Sequence, residues 1–201
     1  LKSFVLYANL FIERKLLRKN DRWGVAYSRK FWADIKLSEG RRIPNPKYRF
    51  LADPFVIKKD GRYHIFVEDY DCRRGLGAIS CIVVNPDDSY EIVENVLVEP
   101  FHLSFPFVFE ESGEIFMLPE TYEGNGIRLY RCIEFPNKWE LDTELMRDVS
   151  ATDTMLIKRQ SKWFMLTNMN QFSFPDHLSQ LHVLWSDTLR SSDWKPLSSL
   201  P

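Results

Sequence analysis

The amino-acid sequence predicts an all-β fold built from a repeated unit. A segment that begins at Asp53 matches, without a gap, a segment that begins 52 residues later at Phe105, and a weaker third copy begins 48 residues further on at Asp153. Aromatic residues make up 14% of the chain, and their side chains favour the pleated, half-buried surfaces of sheets. A period of about 50 residues is typical of one four-stranded blade of a β-propeller. We therefore expect a β-propeller of four-stranded antiparallel blades, and a β-sandwich, which does not need this period, is the alternative.

Each repeat carries the same strand and turn signals. An apolar strand leads into a two-residue turn at 60–61, 112–113 or 160–161. In the first two turns the second residue is glycine, which accepts the positive φ of a tight hairpin turn. An aromatic-rich second strand follows, then a third strand expected at 78–85, 127–135 and 181–186, and then a more polar outer strand that opens with Tyr90, Trp139 or Trp194. Polarity that rises outward suits a radial stack of sheets, because only the outer strands meet water.

The repeats divide the chain into blades. We expect one propeller domain over residues 21–201, with full blades at about 49–100, 101–148 and 149–200 and a partial preceding blade at about 21–48. In the partial blade, short outer strands are expected at 23–27 and 31–35. Residues 1–20 mix apolar and basic side chains at helical spacing, which predicts an amphipathic helix or arm. Such a segment would dock on the propeller or on a partner chain, with a membrane surface as the alternative.

Composition excludes several classes of function. The chain has 27 Lys and Arg against 28 Asp and Glu, so we expect no nucleic-acid partner, because a phosphate-binding surface carries excess positive charge. No apolar run approaches the roughly 20 residues of a transmembrane helix, and no transmembrane segment is expected. The three cysteines and the histidines lack metal-ligand spacing, which predicts no metal, no cofactor, reduced thiols and a cytoplasmic protein. Residues 1–19 or an open blade edge would support a homo-oligomer.

Antiparallel hairpins should bring acidic residues of different repeats together. Because the second strand of a hairpin returns to the end where the first began, Asp53 is expected beside Glu68, with Glu120 and Asp153 at the equivalent ends of later blades. A propeller points these ends at one mouth of its central channel. Carboxylates in a partly dry cleft raise one another's pKa and supply the acid and base forms that glycoside chemistry requires. The alternative is that each carboxylate caps a turn or pairs with an arginine.

Further side chains are candidates for substrate binding. The set comprises His102, Arg73, Arg74, Arg128, Tyr70 and Tyr122. The histidine can donate to a sugar hydroxyl, the guanidinium groups can clamp a phosphate or carboxylate, and the tyrosines can stack on sugar rings. The alternatives are a histidine bonded to the backbone that links two blades, arginines in surface ion pairs, and aromatic side chains in the core.

Several motifs together resemble a known family. The segments 49–55, 66–68, 102–108, 117–120 and 153–156 resemble the amino-terminal propeller domain of the glucosamine inositolphosphorylceramide transferases and its stand-alone bacterial relatives. That domain is similar to the five-bladed propellers of arabinanase, invertase and levansucrase type. The resemblance covers about residues 22–200 and implies a five-bladed fold.

The resemblance also implies roles for the acidic residues. Asp53 matches the inner-strand aspartate that is general base or nucleophile in the related glycosidases, and Glu120 and Asp153 match the acid and the carboxylate that tunes its pKa. The order along this chain is Asp, Glu, Asp, whereas those glycosidases usually run Asp, Asp, Glu. The hypothesis is a carbohydrate-active propeller that hydrolyses or transfers a saccharide or glycolipid at a glycosidic linkage. The alternative is a non-catalytic glycan-binding or assembly propeller, because in the plant transferases a separate carboxy-terminal domain is implied to transfer the sugar.

Overall fold

The computed structural model describes residues 23–169 and 180–197. These residues form three four-stranded antiparallel sheets and one two-stranded sheet. The two-stranded sheet pairs β1 (Ala26–Tyr27) with β2 (Arg41–Arg42). The first blade consists of β3 (Arg49–Lys59), β4 (Arg62–Asp71), β5 (Leu76–Val84) and β6 (Tyr90–Leu97). The second blade consists of β7 (Ser104–Glu111), β8 (Glu114–Glu120), β9 (Gly126–Glu134) and β10 (Lys138–Arg147). The third blade consists of β11 (Ala151–Arg159), β12 (Lys162–Met169), β13 (Leu181–Ser186) and β14 (Lys195–Pro196).

Strand order within each blade follows the sequence. Each strand pairs with the next one along the chain, so the first strand of every blade lies at one edge of its sheet. Strand β7 lies against β3 and β4 of the first blade, and β11 lies against β7 and β8 of the second. Successive sheets thus stack through their first strands, which confirms the predicted architecture of four-stranded antiparallel propeller blades.

The tight turns between the first two strands follow from local backbone preferences. Asp60 and Gly61 have φ values of 49° and 76°, and Ser112 and Gly113 have values of 54° and 82°. Positive φ at both central positions is the conformation of the hairpin turn whose twist matches that of the strands, and glycine adopts it without steric cost. The third turn has no glycine and places Gln160 at φ 56°.

A β-bulge interrupts the first strand of every blade at the same repeat position. The pairing shifts register between Ala52 and Phe55, and equivalent shifts follow Ser104 and Thr152. At each shift one non-glycine residue adopts a left-handed conformation: Asp53 at φ 47°, Phe105 at 46° and Asp153 at 52°. Bulges re-aim side chains and concentrate beside functional sites. The three bulges therefore mark the end of the blades at which acidic side chains were predicted.

The core lies between the blades. Phe66, Leu103 and Met117 are buried between the first and second blades, where Phe66 meets Trp139 edge-on at 5.4 Å between ring centroids. The second and third blades enclose another apolar cluster that includes Leu118, Leu129, Leu145, Leu156 and Met165. Val25 and Ile43, which flank the two-stranded sheet, pack on the other side of the first blade against its residues Leu51, Val67 and Ile82. Burying each such side chain contributes about 1.5–3 kcal/mol, so packing between sheets holds the blades together.

The expected outer strand at 31–35 is wrong. Trp32–Asp34 forms a short 3-10 helix instead, and β1 pairs with β2. Phe31 and Trp32 are 66% and 77% exposed, so no burial stabilises a strand there. The pairing also ends soon after β2, because prolines at 44 and 46 have no N–H to donate.

Two other expectations concern the chain's relation to a membrane and its amino-terminal segment. The predicted helix or arm at residues 1–20 lies outside the described residues. Within residues 23–169 and 180–197, the structure contains no helix whose length and apolar character would suffice to cross a bilayer.

Candidate functional site

The ends of the hairpins bring four acidic side chains into one region, which we call the acidic pit: Asp53, Glu68, Glu120 and Asp153. In the first blade Ala52, the residue before Asp53, pairs with Glu68 across the ladder. The equivalent pairs join Ser104 to Glu120 in the second blade and Thr152 to Asn168 in the third. The antiparallel register therefore places a polar side chain of the second strand beside the bulge of the first in every blade.

Hydrogen bonds between blades tie these side chains together. The Phe105 N–H, in the bulge of the second blade, donates to Asp53 Oδ2 at 3.3 Å. The Asp153 N–H, in the bulge of the third blade, donates to Glu120 Oε2 at 3.2 Å. Within the third blade, Asn168 Nδ2 donates to Asp153 Oδ2 at 3.5 Å. The bulges of the second and third blades thus each present a backbone donor to a carboxylate of the preceding blade.

Burial and mutual repulsion shift the acid equilibria in the pit. Glu68 is only 7% exposed, and burial, reinforced by the charges of Asp53, Glu120 and Asp69, raises its pKa to about 8. Burial also raises the pKa of Glu120 to about 7, with the charges of Asp153 and Asp53 adding to the effect. The pKa of Asp153 is raised by burial and then by Asp53. The Asp53 charge therefore acts on all three other carboxyl groups, and near neutral pH the pit contains both protonated and ionised forms.

His102 lies at the edge of the pit. Its Nε2 is 3.5 Å from Glu68 Oε1, and its Nδ1 accepts a hydrogen bond of 2.9 Å from the Gly77 N–H. The ring meets Tyr70 edge-on, with centroids 5.7 Å apart, and Tyr70 in turn stacks on Phe50. Burial lowers the pKa of His102, and the charges of Glu123 and Asp53 oppose that effect. The predicted binding residue His102 is thus next to Glu68, and Tyr70 is next to His102.

Two of the three predicted arginines, Arg128 and Arg73, make contacts with groups other than the four acidic side chains of the pit. Arg128 pairs with Glu144 at 3.1 Å and lies over the Phe101 ring, 4.8 Å from its centroid. Arg73 lies 4.9 Å from the centroid of the Tyr48 ring and pairs with Asp71 at 3.8 Å.

The other two predicted binding residues lie in different surroundings. Arg74 lines a separate cavity together with Arg49 and Asp69. Tyr122 opens the short 3-10 helix Tyr122–Gly124 directly after β8, and its hydroxyl donates to Glu123 Oε1 at 3.4 Å. The charge of Glu120 contributes to raising the pKa of Tyr122, after burial and Glu123, which places this tyrosine near the pit.

Sequence reasoning missed two residues that shape the site. The buried Ser104 hydroxyl donates to Glu120 and opposes the rise in its pKa. Gly77 binds the His102 ring, and an added Cβ there would lie 2.7 Å from His102 Cε1. Ser104 could have been found from its repeat position, which matches Ala52 and Thr152. Gly77 had no such signal, because the close approach joins distant parts of the chain.

The arrangement holds the groups that acid and base chemistry needs. Among the described residues no cluster of three or more His, Cys, Asp or Glu side chains has the geometry to hold a metal ion. A protonated Glu120 can donate a proton, and the Asp53 carboxylate can accept one or attack an electrophilic carbon. These are the two functions that a pair of carboxyl groups performs in glycosidic bond cleavage.

Solved structures that share this fold include several glycoside hydrolases. One, described as a thermostable family-43 glycoside hydrolase, is 14% identical with a TM-score of 0.54 and covers 75% of this chain and 55% of that chain. An exo-beta-1,3-galactanase from Clostridium thermocellum is 13% identical with a TM-score of 0.55 and covers 78% of this chain and 40% of that chain. At these identities the likeness concerns the fold alone, and it defines the class: a β-propeller domain.

Sequence comparison then defines the family. The chain belongs to the family described as "Glucosamine inositolphosphorylceramide transferase 1, N-terminal", whose profile matches residues 41–200. Glucosamine inositolphosphorylceramide transferase 1 of Arabidopsis thaliana is 30% identical over 155 residues, which are 76% of this chain and 20% of that protein. The protein of the same name from Oryza sativa subsp. indica is 31% identical over 120 residues, 59% of this chain and 16% of that protein. The resemblance predicted from the motifs is confirmed, and the chain spans a fifth or less of these relatives.

Proposed function

We propose that the acidic pit acts on the glycosidic linkage of a saccharide or glycolipid, by hydrolysis or by transfer of the sugar to an acceptor. The observation that carries this proposal is electrostatic: the charge of Asp53 acts on Glu68, Glu120 and Asp153 together. The names of the plant relatives and the titles of the solved structures, which concern sugar transfer and glycoside hydrolysis, support it.

The proposed roles follow from the protonation states. With a pKa of about 7, Glu120 is about half protonated at neutral pH and is the candidate acid that protonates the departing glycosidic oxygen. Asp53 is the candidate base or nucleophile, activating water or an acceptor hydroxyl or attacking the anomeric carbon. Glu68 and Asp153 adjust the charge around these two groups. His102, Tyr70 and Tyr122 are the candidates for contact with the sugar.

The direct test compares Asp53→Asn with Glu94→Gln. Glu94 pairs with Arg49 outside the pit, so its variant is a control for loss of one carboxylate. We expect Asp53→Asn to lower release of sugar from a panel of glycosides by at least about 100-fold, the usual contribution of a general base, while the melting temperature stays within a few degrees. Equal turnover by both variants, or loss of folding in Asp53→Asn alone, would contradict the proposal.

A second candidate function is glycan binding without turnover. It is favoured by the relation to the plant transferases, in which the matched region is only 20% of the protein in Arabidopsis thaliana. A glycan array combined with a reducing-sugar assay separates the two functions. Retention of a saccharide without any product over long incubation would support binding alone.

A further inference from the structure

The His102 ring is held between two groups of opposite hydrogen-bonding character. On one side the Gly77 N–H donates to Nδ1 at 2.9 Å. On the other side Nε2 lies 3.5 Å from Glu68 Oε1. A nitrogen that accepts a hydrogen bond uses its lone pair to do so, so the proton of the neutral imidazole is on Nε2, the nitrogen that lies near Glu68. Burial lowers the pKa of His102 and so favours this neutral form.

The chain around Gly77 is built to hold the ring in place. Besides its bond to Nδ1, Gly77 accepts at its carbonyl oxygen a hydrogen bond of 3.0 Å from the Leu103 N–H. A Cβ at position 77 would lie 2.5 Å from the Leu103 carbonyl oxygen and 2.7 Å from His102 Cε1. Only glycine permits this approach without displacing the segment. The His102 N–H is also bonded, to Glu123 Oε2 at 2.8 Å, so the backbone that carries the ring is fixed on two sides.

We propose that His102 is a positioning residue of the acidic pit: with its tautomer set by Gly77, it orients the Glu68 carboxyl group by donating from Nε2 to Oε1. The second oxygen, Oε2, then carries the proton when Glu68 is neutral. This inference deepens the proposed function, on which its relevance to catalysis rests. In this role the single N–H of the neutral ring is assigned to Glu68, so the role replaces the direct contact with the sugar for which His102 was also a candidate.

The charges around the pair define what the donor does. Glu68 is faced by the carboxylates of Asp53, Glu120 and Asp69, and His102 is influenced by Glu123 and Asp53. All of these neighbours are negative and favour the protonated form of Glu68. A hydrogen bond donated to Oε1 has the opposite effect and lowers the pKa of Glu68, because a hydrogen bond to a carboxylate stabilises its ionised form. Loss of the donor should therefore raise the pKa of Glu68 further.

Three variants isolate the donor from the packing of the ring. His102→Asn can still accept from the Gly77 N–H through its side-chain oxygen, but it is too short to reach Glu68. His102→Gln places an amide donor near the position of Nε2 and should restore the bond to Glu68. Gly77→Ala changes neither partner and displaces the His102 segment by steric overlap.

The experiment is a pH titration of the carboxyl carbons in protein labelled with ¹³C-glutamate, with Glu68→Gln used to assign the Glu68 signal. In the unchanged protein Glu68 should titrate with a pKa of about 8. In His102→Asn and Gly77→Ala we expect that pKa to rise by roughly 0.5 to 1, the worth of one such hydrogen bond. In His102→Gln it should stay near the original value.

An unchanged Glu68 titration in His102→Asn would overturn the proposal, and so would equal displacements in His102→Asn and His102→Gln, which would indicate packing alone. The amide spectrum shows whether a variant is folded. If either Gly77→Ala or His102→Asn is unfolded, the pKa of Glu68 in the other variant still shows whether loss of the donor raises it. The titration needs no substrate. If the protein turns over no glycoside, the proposed function is contradicted. The titration still decides separately whether His102 positions Glu68.

Discussion

The backbone N–H of Phe105 lies 3.3 Å from the Oδ2 atom of Asp53, although the two residues are 52 positions apart in the sequence. They occupy the same place in successive repeats, and both adopt left-handed backbone conformations. The carboxylate of one blade is thus held by the bulge of the next. Because the same relation recurs between Glu120 and Asp153, the geometry of the acidic pit depends on how neighbouring blades pack.

Replacing Glu68 by glutamine should flatten the pH dependence of stability. Between the ordinary glutamate pKa of 4.5 and the native value of about 8, the folded protein binds more protons than the unfolded chain. Stability is therefore fully present below pH 4.5 and falls as pH rises through 8, by an amount on the order of a few kcal/mol from this group. Urea unfolding of both proteins at pH 5.5 and 8.5 measures the difference.

The control for this experiment is Glu94→Gln. The pKa of Glu94 is lowered, mainly by its hydrogen bond to Arg49, so its contribution to stability is lost as pH falls rather than as pH rises. Its variant should leave the decline between pH 5.5 and 8.5 intact. A decline that persists in Glu68→Gln would contradict the assignment of this titration to Glu68.

Turnover should fall on the alkaline side of neutrality if Glu120 is the acid. The protonated form is required, and the pKa of about 7 means that the rate declines as pH rises through that value. The hydrogen bond from the Ser104 hydroxyl lowers the pKa of Glu120. The variant Ser104→Ala lacks that bond, so the alkaline limb of its rate profile should lie at higher pH. Rate profiles of kcat/KM from pH 5 to 9 test this, and a limb at the same pH in both proteins would contradict it.

Glycine should be no worse than alanine at position 105. Both substitutions remove the ring that meets Phe55 edge-on at 4.8 Å, so they lose the same aromatic contact. In an ordinary strand, glycine is about 0.5–1 kcal/mol less stable than alanine. The φ of 46° at Phe105 reverses that preference, because alanine is strained in this region and glycine is not. Urea denaturation of Phe105→Gly and Phe105→Ala compares the two directly.

Truncation in the core between the second and third blades should be costly. Leu118 is fully buried there, and Leu118→Ala should lower the free energy of unfolding by about 2–5 kcal/mol. Leu141 is 51% exposed on the outer strand of the second blade, so Leu141→Ala is the matched control and should cost much less. Equal losses in chemical denaturation would mean that the stacking of these blades contributes little.

Much of the fold could be predicted because repetition reveals it. The turns at Asp60 and Ser112 were visible from the glycines that follow them, and both have the expected positive φ. The nearness of Asp53 and Glu68 followed from antiparallel geometry alone. What sequence could not show was the left-handed backbone at Asp53, because L-residues with side chains disfavour that conformation and nothing local demands it.

Contacts between distant segments are a second kind of feature that the sequence could not show. Arg128 looked available to a substrate, but its guanidinium group pairs with Glu144 and covers Phe101. Phe31 and Trp32 looked like strand residues from their aromatic rings, yet both are exposed at the start of the 3-10 helix Trp32–Asp34, because none of the sheets in the described part of the chain covers them. Strand propensity describes the secondary structure that a residue favours, and tertiary contacts decide which structure and which partners it adopts.

The hydrogen bonds that link Asp53 to Phe105 and Glu120 to Asp153 have a consequence for how such a site can change. No single blade contains both the carboxylate and the backbone donor of such a hydrogen bond. Duplication of a blade therefore creates the interfaces between blades at which the carboxylates and the backbone donors meet. A one-residue insertion ahead of either bulge would turn alternate side chains to the opposite face of the strand. We expect these interfaces between blades to tolerate substitutions far better than insertions or deletions.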